Sequence, residues 1–392
     1  MRDRTVGVYL HVPFCERVCP YCDFAVVAAR QLAREAEAAY VEALLAELAL
    51  RRTAFAGLAL ETIYLGGGTP SLLTPASVGR LVETVRRSFP PGAGSPEVTL
   101  EVNPSTLERE RLPGFRDAGV DRLSIGVQSF DDTVLRRLGR AHRGEEASRT
   151  LAAARDAGFE NVSLDLIVAA PGQSAASLER DLDRALGFGP EHVSCYALTV
   201  EQGTPFALAA RRGQLALPDD DAAAALLERT GERLLTAGLD RYEISNFARP
   251  GRASRHNCRY WERRPVLGLG VSAWSSEPPS AAFPHGARRG NLRELPGYLE
   301  RVGAGRSAEA APPEALAPAA QRGEVMFLAL RTMRGLEAEA FAAEFGAPPR
   351  AFYGASIERL RAAGLLEEAE GGDLRLTPRG VLLSDSVFAE FF

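Results

Sequence analysis

The chain has 392 residues, enough for one large domain and a small one. Its apolar share of 46% and charged share of 25% are those of an ordinary soluble globular protein, and no apolar run is long enough to span a bilayer. A formal net charge of −5 argues against a nucleic-acid footprint, and the absence of lysine rules out Schiff-base and P-loop lysine chemistry. Arginine is then left to clamp any carboxylate or phosphate.

The opening MRDRTVGVYLHVPF has no apolar h-region or small-residue cleavage site, so the expected location is cytoplasmic, with any membrane association made through a partner. In that reducing compartment, clustered cysteines point to metal binding or catalysis rather than disulfides.

Taken in chain order, strands are predicted at 6–12, 62–68, 98–103, 122–128, 161–170 and 192–199. Several are apolar without clean alternation, as parallel strands covered on both faces are. Amphipathic helical stretches separate them, such as LAREAEAAYVEALLAELALRR and ASLERDLDRALGF. The alternation predicts an α/β fold with a parallel sheet, and six units fit a partial (β/α)6 barrel rather than a closed eight-stranded one.

Beyond residue 200 the pattern is less regular. VLGLGVSAW reads as a Gly-rich loop, and GAGRSAEAAPPEALAPAAQ reads as a linker. Helices over GEVMFLALRTM and ASIERLRAAG then precede a hairpin, LLEEAEGGDLRLT, with a Gly-Gly turn. This predicts a small winged-helix-like domain. The expected organisation is a core over 1–240, an extension over 241–305 and a C-terminal α+β domain over 306–392.

Three of the five cysteines fall in C-x3-C-x2-C: Cys15, Cys19 and Cys22, directly after the first strand. A zinc site would need a fourth ligand, from His11 or Asp23. A 4Fe–4S cluster held by three thiolates would instead leave one iron open to a ligand. At the predicted strand ends lie GGGTP (66–70), Glu101 and Gln128, with Asp165 within the fifth strand and Arg140 in LRRLGRAH. Ligand-binding side chains of such barrels sit at the C-terminal ends of strands.

The cysteine spacing, with Tyr21 before the last cysteine, resembles the radical S-adenosylmethionine (radical SAM) superfamily. That resemblance implies a partial (β/α)6 barrel, a 4Fe–4S cluster on Cys15, Cys19 and Cys22, and SAM bound at the open iron. Over its whole length, including LTPRG near the end, the chain resembles a narrower group related to oxygen-independent coproporphyrinogen III oxidase. There the matching positions contact SAM: Tyr9, Gly67, Gly68, Thr69, Glu101, Gln128, Arg140, Asp165 and Ala197. The resemblance gives the glycine loop to the SAM amino group, Glu101 and Asp165 to its ribose hydroxyls, and Arg140 to its carboxylate.

Two branches of that group differ at places visible here. The oxidase branch has a longer segment before its cluster and a further cysteine where this chain has Phe24. HNCRYW (256–261) instead fits the HNxxYW pattern of the branch regarded as haem chaperones, which implies His256 as a haem contact. On the residues alone, His256 reads as a cap of the turn after ARPGRAS, with Tyr260 and Trp261 in the core. The partners expected from this likeness are haem, a haem-accepting respiratory protein and an electron donor. The alternative is radical decarboxylation of coproporphyrinogen III. Cys195 and Cys258 read as spare thiols, with Cys258 the alternative of a soft haem ligand.

Overall fold

A computed structural model of the protein describes residues 4–315 and 317–392. Six parallel strands form its centre: β1 (Thr5–Val12), β2 (Ala59–Gly67), β3 (Glu97–Val102), β4 (Arg122–Gln128), β5 (Val162–Val168) and β6 (His192–Ala197). They lie side by side in chain order within one sheet of 11 strands. β1 does not pair with β6, so the sheet is open. The six strands follow the sequence reading within a few residues because each is a buried apolar run, with Val8, Ile63, Val98, Ile125, Leu164 and Val193 all fully buried.

The intervening helices begin where a side-chain oxygen can satisfy a free backbone N–H. Thr74, Ser105, Asp131, Ser174 and Asp219 each cap a helix in this way. The helix after Thr74, Pro75–Ser88, turns Val78, Leu81, Val82 and Val85 onto the sheet, the i, i+3, i+4, i+7 stripe of a one-faced helix.

Both edges of the sheet carry strands beyond the six. Val266–Leu269, expected as a glycine loop, is a buried strand parallel to β1. A Cβ on Gly268 would lie 2.2 Å from the Trp274 carbonyl oxygen, so the glycine there permits a close backbone approach rather than marking a loop. Trp274–Glu277 and Ala287–Gly290 continue this edge antiparallel. At the other edge, Asn246–Ala248 pairs antiparallel with β6.

The expected linker is also a packed segment. Glu309 and Glu314 bridge to Asn291 and Arg288, and Ala308 is fully buried. Its Ala and Pro content gave no sign of this, because the pairing is made by backbone groups.

A second core, built from Met326, Leu330, Phe341, Ile357, Leu360 and Phe388, lies in the C-terminal region. It is roofed by the hairpin Leu366–Glu368 and Leu374–Leu376, which turns through Gly371 and Gly372, both at positive φ.

The helix Arg255–Trp261, which carries HNCRYW, closes the barrel end where the strands begin. Its Arg259 is fully buried and donates to the Thr5 and Pro265 carbonyl oxygens, both at 2.8 Å, and to the Glu61 carboxylate. His256 Nδ1 meets Thr62 Oγ1 at 2.7 Å, and the His256 backbone N–H donates to Glu97 at 3.3 Å.

Candidate active site

The opposite end of the barrel, where the strands finish, holds a cavity of ≈ 430 Å³. Cys15, Cys19 and Cys22 line it, all partly exposed. Their loop is fastened at both ends. Phe14–Cys15 pairs with Val27–Ala28, and the Cys22 N–H donates to the Cys19 carbonyl at 3.1 Å.

The glycine loop is pinned to the cysteine loop. The Gly68 and Thr69 amides donate to the Val12 and Phe14 carbonyls, both at 2.8 Å. Gly67 has φ +107°, and a Cβ there would lie 2.5 Å from the His11 ring. Only glycine allows this backbone to pass so close.

The sulfurs receive donors. Thr69 Oγ1 donates to Cys15 Sγ and Arg140 Nη1 donates to Cys19 Sγ, both at 3.6 Å. Burial pushes the Cys15 thiol up to about 11, against the Thr69 hydrogen bond, which lowers it. Such a sulfur becomes a thiolate most readily when a metal takes the charge. Among the described residues, no group of three or more His, Cys, Asp or Glu side chains is gathered closely enough for a single metal ion. Three thiols facing one cavity suit a cluster, which spreads its ligands over several irons.

Two carboxylates sit deeper. Glu101 accepts from the Tyr64 hydroxyl at 2.8 Å and the Gly67 N–H at 3.0 Å, and burial pushes it up to about 7. Asp165 accepts from Ser124 Oγ at 3.0 and 3.1 Å and is likewise raised by burial. Gln128 has φ +64°, an unusual backbone state that places it at the turn out of β4. Arg140 Nε is buried without a partner among the described residues, a donor available to a ligand.

Gly67, Gly68, Thr69, Tyr21, Glu101, Gln128, Arg140, Asp165 and Ala197 all line this one cavity with the cysteines. Tyr9 and His256 do not. Tyr9 stands behind Tyr64, their ring centroids 6.1 Å apart, with its hydroxyl against His11 Nδ1 at 3.2 Å. His256 is 1% exposed, and both ring nitrogens are engaged, Nδ1 by Thr62 and Nε2 by the Tyr260 hydroxyl at 3.2 Å. The structure thus gives His256 a structural place, with its ring held between Thr62 and Tyr260.

Several lining residues were not singled out in the sequence, and three of them organise the site. Tyr64 holds Glu101. Asn103 joins Thr69 to Arg140. Arg122, 1% exposed, opens β4 and faces the cavity, where its charge lowers the pKa of both Glu101 and Asp165. Only LEVNP offered a clue, since a polar residue before proline at a strand end is held extended.

Comparison with known proteins gives the family. The radical SAM superfamily model matches residues 9–185, and the HemN C-terminal domain model matches 316–383. The heme chaperone HemW of Bacillus subtilis is 33% identical over 98% of both chains. That of Mycobacterium tuberculosis is 38% identical over 99% of this chain and 95% of its own. The chain belongs to the HemW family of radical SAM proteins. The coproporphyrinogen III oxidase HemN from Escherichia coli, described as a radical SAM enzyme, shares the fold with a TM-score of 0.83 and 26% identity, covering 99% of this chain and 90% of that one. The superfamily's cofactors, a 4Fe–4S cluster and SAM, are therefore those implied for this HemW-family chain, and the thiol set and the free Arg140 donor fit them.

Proposed function

We propose that this protein is a haem chaperone that binds haem and hands it to a respiratory acceptor. Cys15, Cys19 and Cys22 hold the cluster. Gly67, Gly68, Thr69, Glu101, Gln128, Arg140, Asp165 and Ala197 hold SAM. When bound, a cluster reduced by an external one-electron donor would supply the electron for reductive cleavage of SAM, with methionine as one product. The chain's own part is to hold the ribose hydroxyls on Glu101 and Asp165, the carboxylate on Arg140, and to keep water out beneath.

The observation that carries the haem reading is the rim. Val18, Phe24 and Tyr196 are 43%, 63% and 42% exposed, and with Val26 and Leu198 they line the cavity mouth. Exposed apolar side chains gathered at a cavity mark a binding surface. A flat apolar macrocycle covers such a rim, with Arg17 beside it for a carboxylate. We place haem there rather than on His256, which would first have to release Thr62 and Tyr260. The full-length relatives named as heme chaperones support the same reading.

The test is a haem titration of the reconstituted protein followed by absorbance. Wild type takes up haem stoichiometrically, and Phe24→Asp weakens uptake about tenfold, the loss of roughly 1.4 kcal/mol of apolar contact. Wild type that binds no haem sinks the proposal.

A second reading, decarboxylation of coproporphyrinogen III, is favoured by the structural likeness to the oxidase. Anaerobic turnover with SAM and a low-potential reductant decides it. Protoporphyrinogen would make this an enzyme of haem synthesis.

A further inference from the structure

A chain of hydrogen bonds crosses the cavity wall from one cysteine to another, and one residue stands at its middle. Asn103 Nδ2 donates to Thr69 Oγ1 at 2.7 Å, and Asn103 Oδ1 accepts from Arg140 Nη2 at 2.6 Å. Thr69 then donates to Cys15 Sγ, and Arg140 to Cys19 Sγ. The two amide ends cannot be exchanged, because arginine can only donate. With its oxygen accepting from the Asn103 amide, the Thr69 hydroxyl directs its one proton at sulfur.

The surroundings keep this amide in place. Asn103 follows β3 directly and precedes Pro104, which holds its backbone extended. Gly126 makes room for it. A Cβ at that position would lie 3.3 Å from Asn103 Oδ1 and 3.5 Å from Arg140 Nη2. The Gly126 carbonyl accepts from the same Arg140 Nη2 at 3.1 Å, which holds the guanidinium against both partners.

We infer that Asn103 is a positioning residue that sets the reduction potential of the cluster by aiming one donor at Cys15 and one at Cys19. This rests on the assignment of those cysteines as cluster ligands. Hydrogen bonds to cluster sulfurs stabilise the more negative, reduced state and raise its potential. Asn103 touches neither sulfur itself, so its effect runs through Thr69 and Arg140. The arrangement also couples the SAM side to the cluster, since Arg140 and Thr69 face both.

The experiment uses the full chain with its cluster reconstituted. Iron and sulfide are measured first, then the midpoint potential by redox titration followed by electron paramagnetic resonance. Asn103→Leu, which keeps the volume and removes both hydrogen bonds, is expected to shift the potential negative and to change the reduced-cluster spectrum. Thr69→Val is expected to shift it the same way, and the double variant by less than the sum, because both act on one chain. A wild-type potential in Asn103→Leu at full iron content, or additive shifts, overturns the inference.

Should Asn103→Leu hold no iron, Asn103→Asp replaces it. The aspartate keeps the Arg140 contact but draws the Thr69 proton away from Cys15, so an unchanged potential there is equally fatal. Failure of the underlying cluster assignment reads differently: Cys15→Ala or Cys19→Ala would then keep full iron.

Discussion

The carboxylate of Glu101 accepts the Gly67 N–H at 3.0 Å and so ties the end of β3 to the glycine loop after β2. Tyr64 donates to its other oxygen. Burial is the main reason its pKa rises to about 7. Ligand hydroxyls donate best to the ionised form. SAM affinity of the reconstituted protein is therefore expected to rise as pH climbs from about 6 to about 8, through that pKa. Glu101→Gln should bind about 10-fold to 100-fold more weakly and lose most of the dependence, the loss of a hydrogen bond to a charged group. Calorimetric titration at several pH values checks this, and a flat wild-type profile refutes it.

The cysteines divide into two groups. Cys15, Cys19 and Cys22 face the cavity, whereas Cys195 is buried in β6 and Cys258 lies on the helix that closes the other end. Alanine at any of the first three removes one of only three protein ligands and is expected to abolish cluster retention. Cys258→Ser should keep full iron and sulfide. Iron analysis after anaerobic reconstitution checks both, and a Cys22→Ala protein with a complete cluster contradicts the assignment.

His256 belongs to the architecture of the closed end. Burial, with the positive charges of Arg259 and Arg122, presses its pKa to about 3. The folded protein thus keeps the ring neutral, while the unfolded chain protonates it near 6.5. Stability from this residue is intact above about pH 6.5 and falls by about 1.4 kcal/mol per unit below it. Wild type should therefore lose more stability between pH 7 and pH 5 than His256→Gln does. At neutral pH His256→Ala should cost about 2–3 kcal/mol, because Thr62 and Tyr260 lose a buried partner. Denaturant melts read both effects. Haem uptake that survives in His256→Ala would agree with a site at the mouth, and its loss would move the site to the closed end.

The parts of this structure that were legible in the sequence are those set by local pattern. The β1–β6 strands are apolar runs, and the residues at their ends, from Gly67 to Ala197, fall on one cavity because parallel strands finish on one side. What was not legible depends on pairing across the chain. Arg122 reads as a charge at the start of a strand, normally solvated, yet it points inward to Glu101 and Asp165. Asn103 is only the last residue of the predicted strand 98–103 until Thr69 and Arg140 arrive from other elements. Val266–Leu269 is too short and too rich in glycine to announce a strand, and β1 supplies the partner that makes it one.

Glycine at 67 gives the last test, because its conformation and its neighbour both forbid a side chain. Its φ of +107° lies where a Cβ is strained, and that Cβ would sit 2.5 Å from the His11 ring. His11 is itself held, with Nε2 at 3.1 Å from the Ala25 carbonyl and Nδ1 against Tyr9, so it cannot move aside freely. Gly67→Ala should therefore displace the loop and break the Glu101 contact, weakening SAM binding at least tenfold while the three cysteines still collect iron. Gly187 is the matched control. It ends the helix Ala175–Gly187, and a Cβ there meets nothing within 4 Å. Gly187→Ala is expected to bind SAM normally and to gain about 0.5 kcal/mol from better helix propensity. Calorimetry with SAM on both variants distinguishes a loop that needs glycine for its shape from one that merely tolerates it.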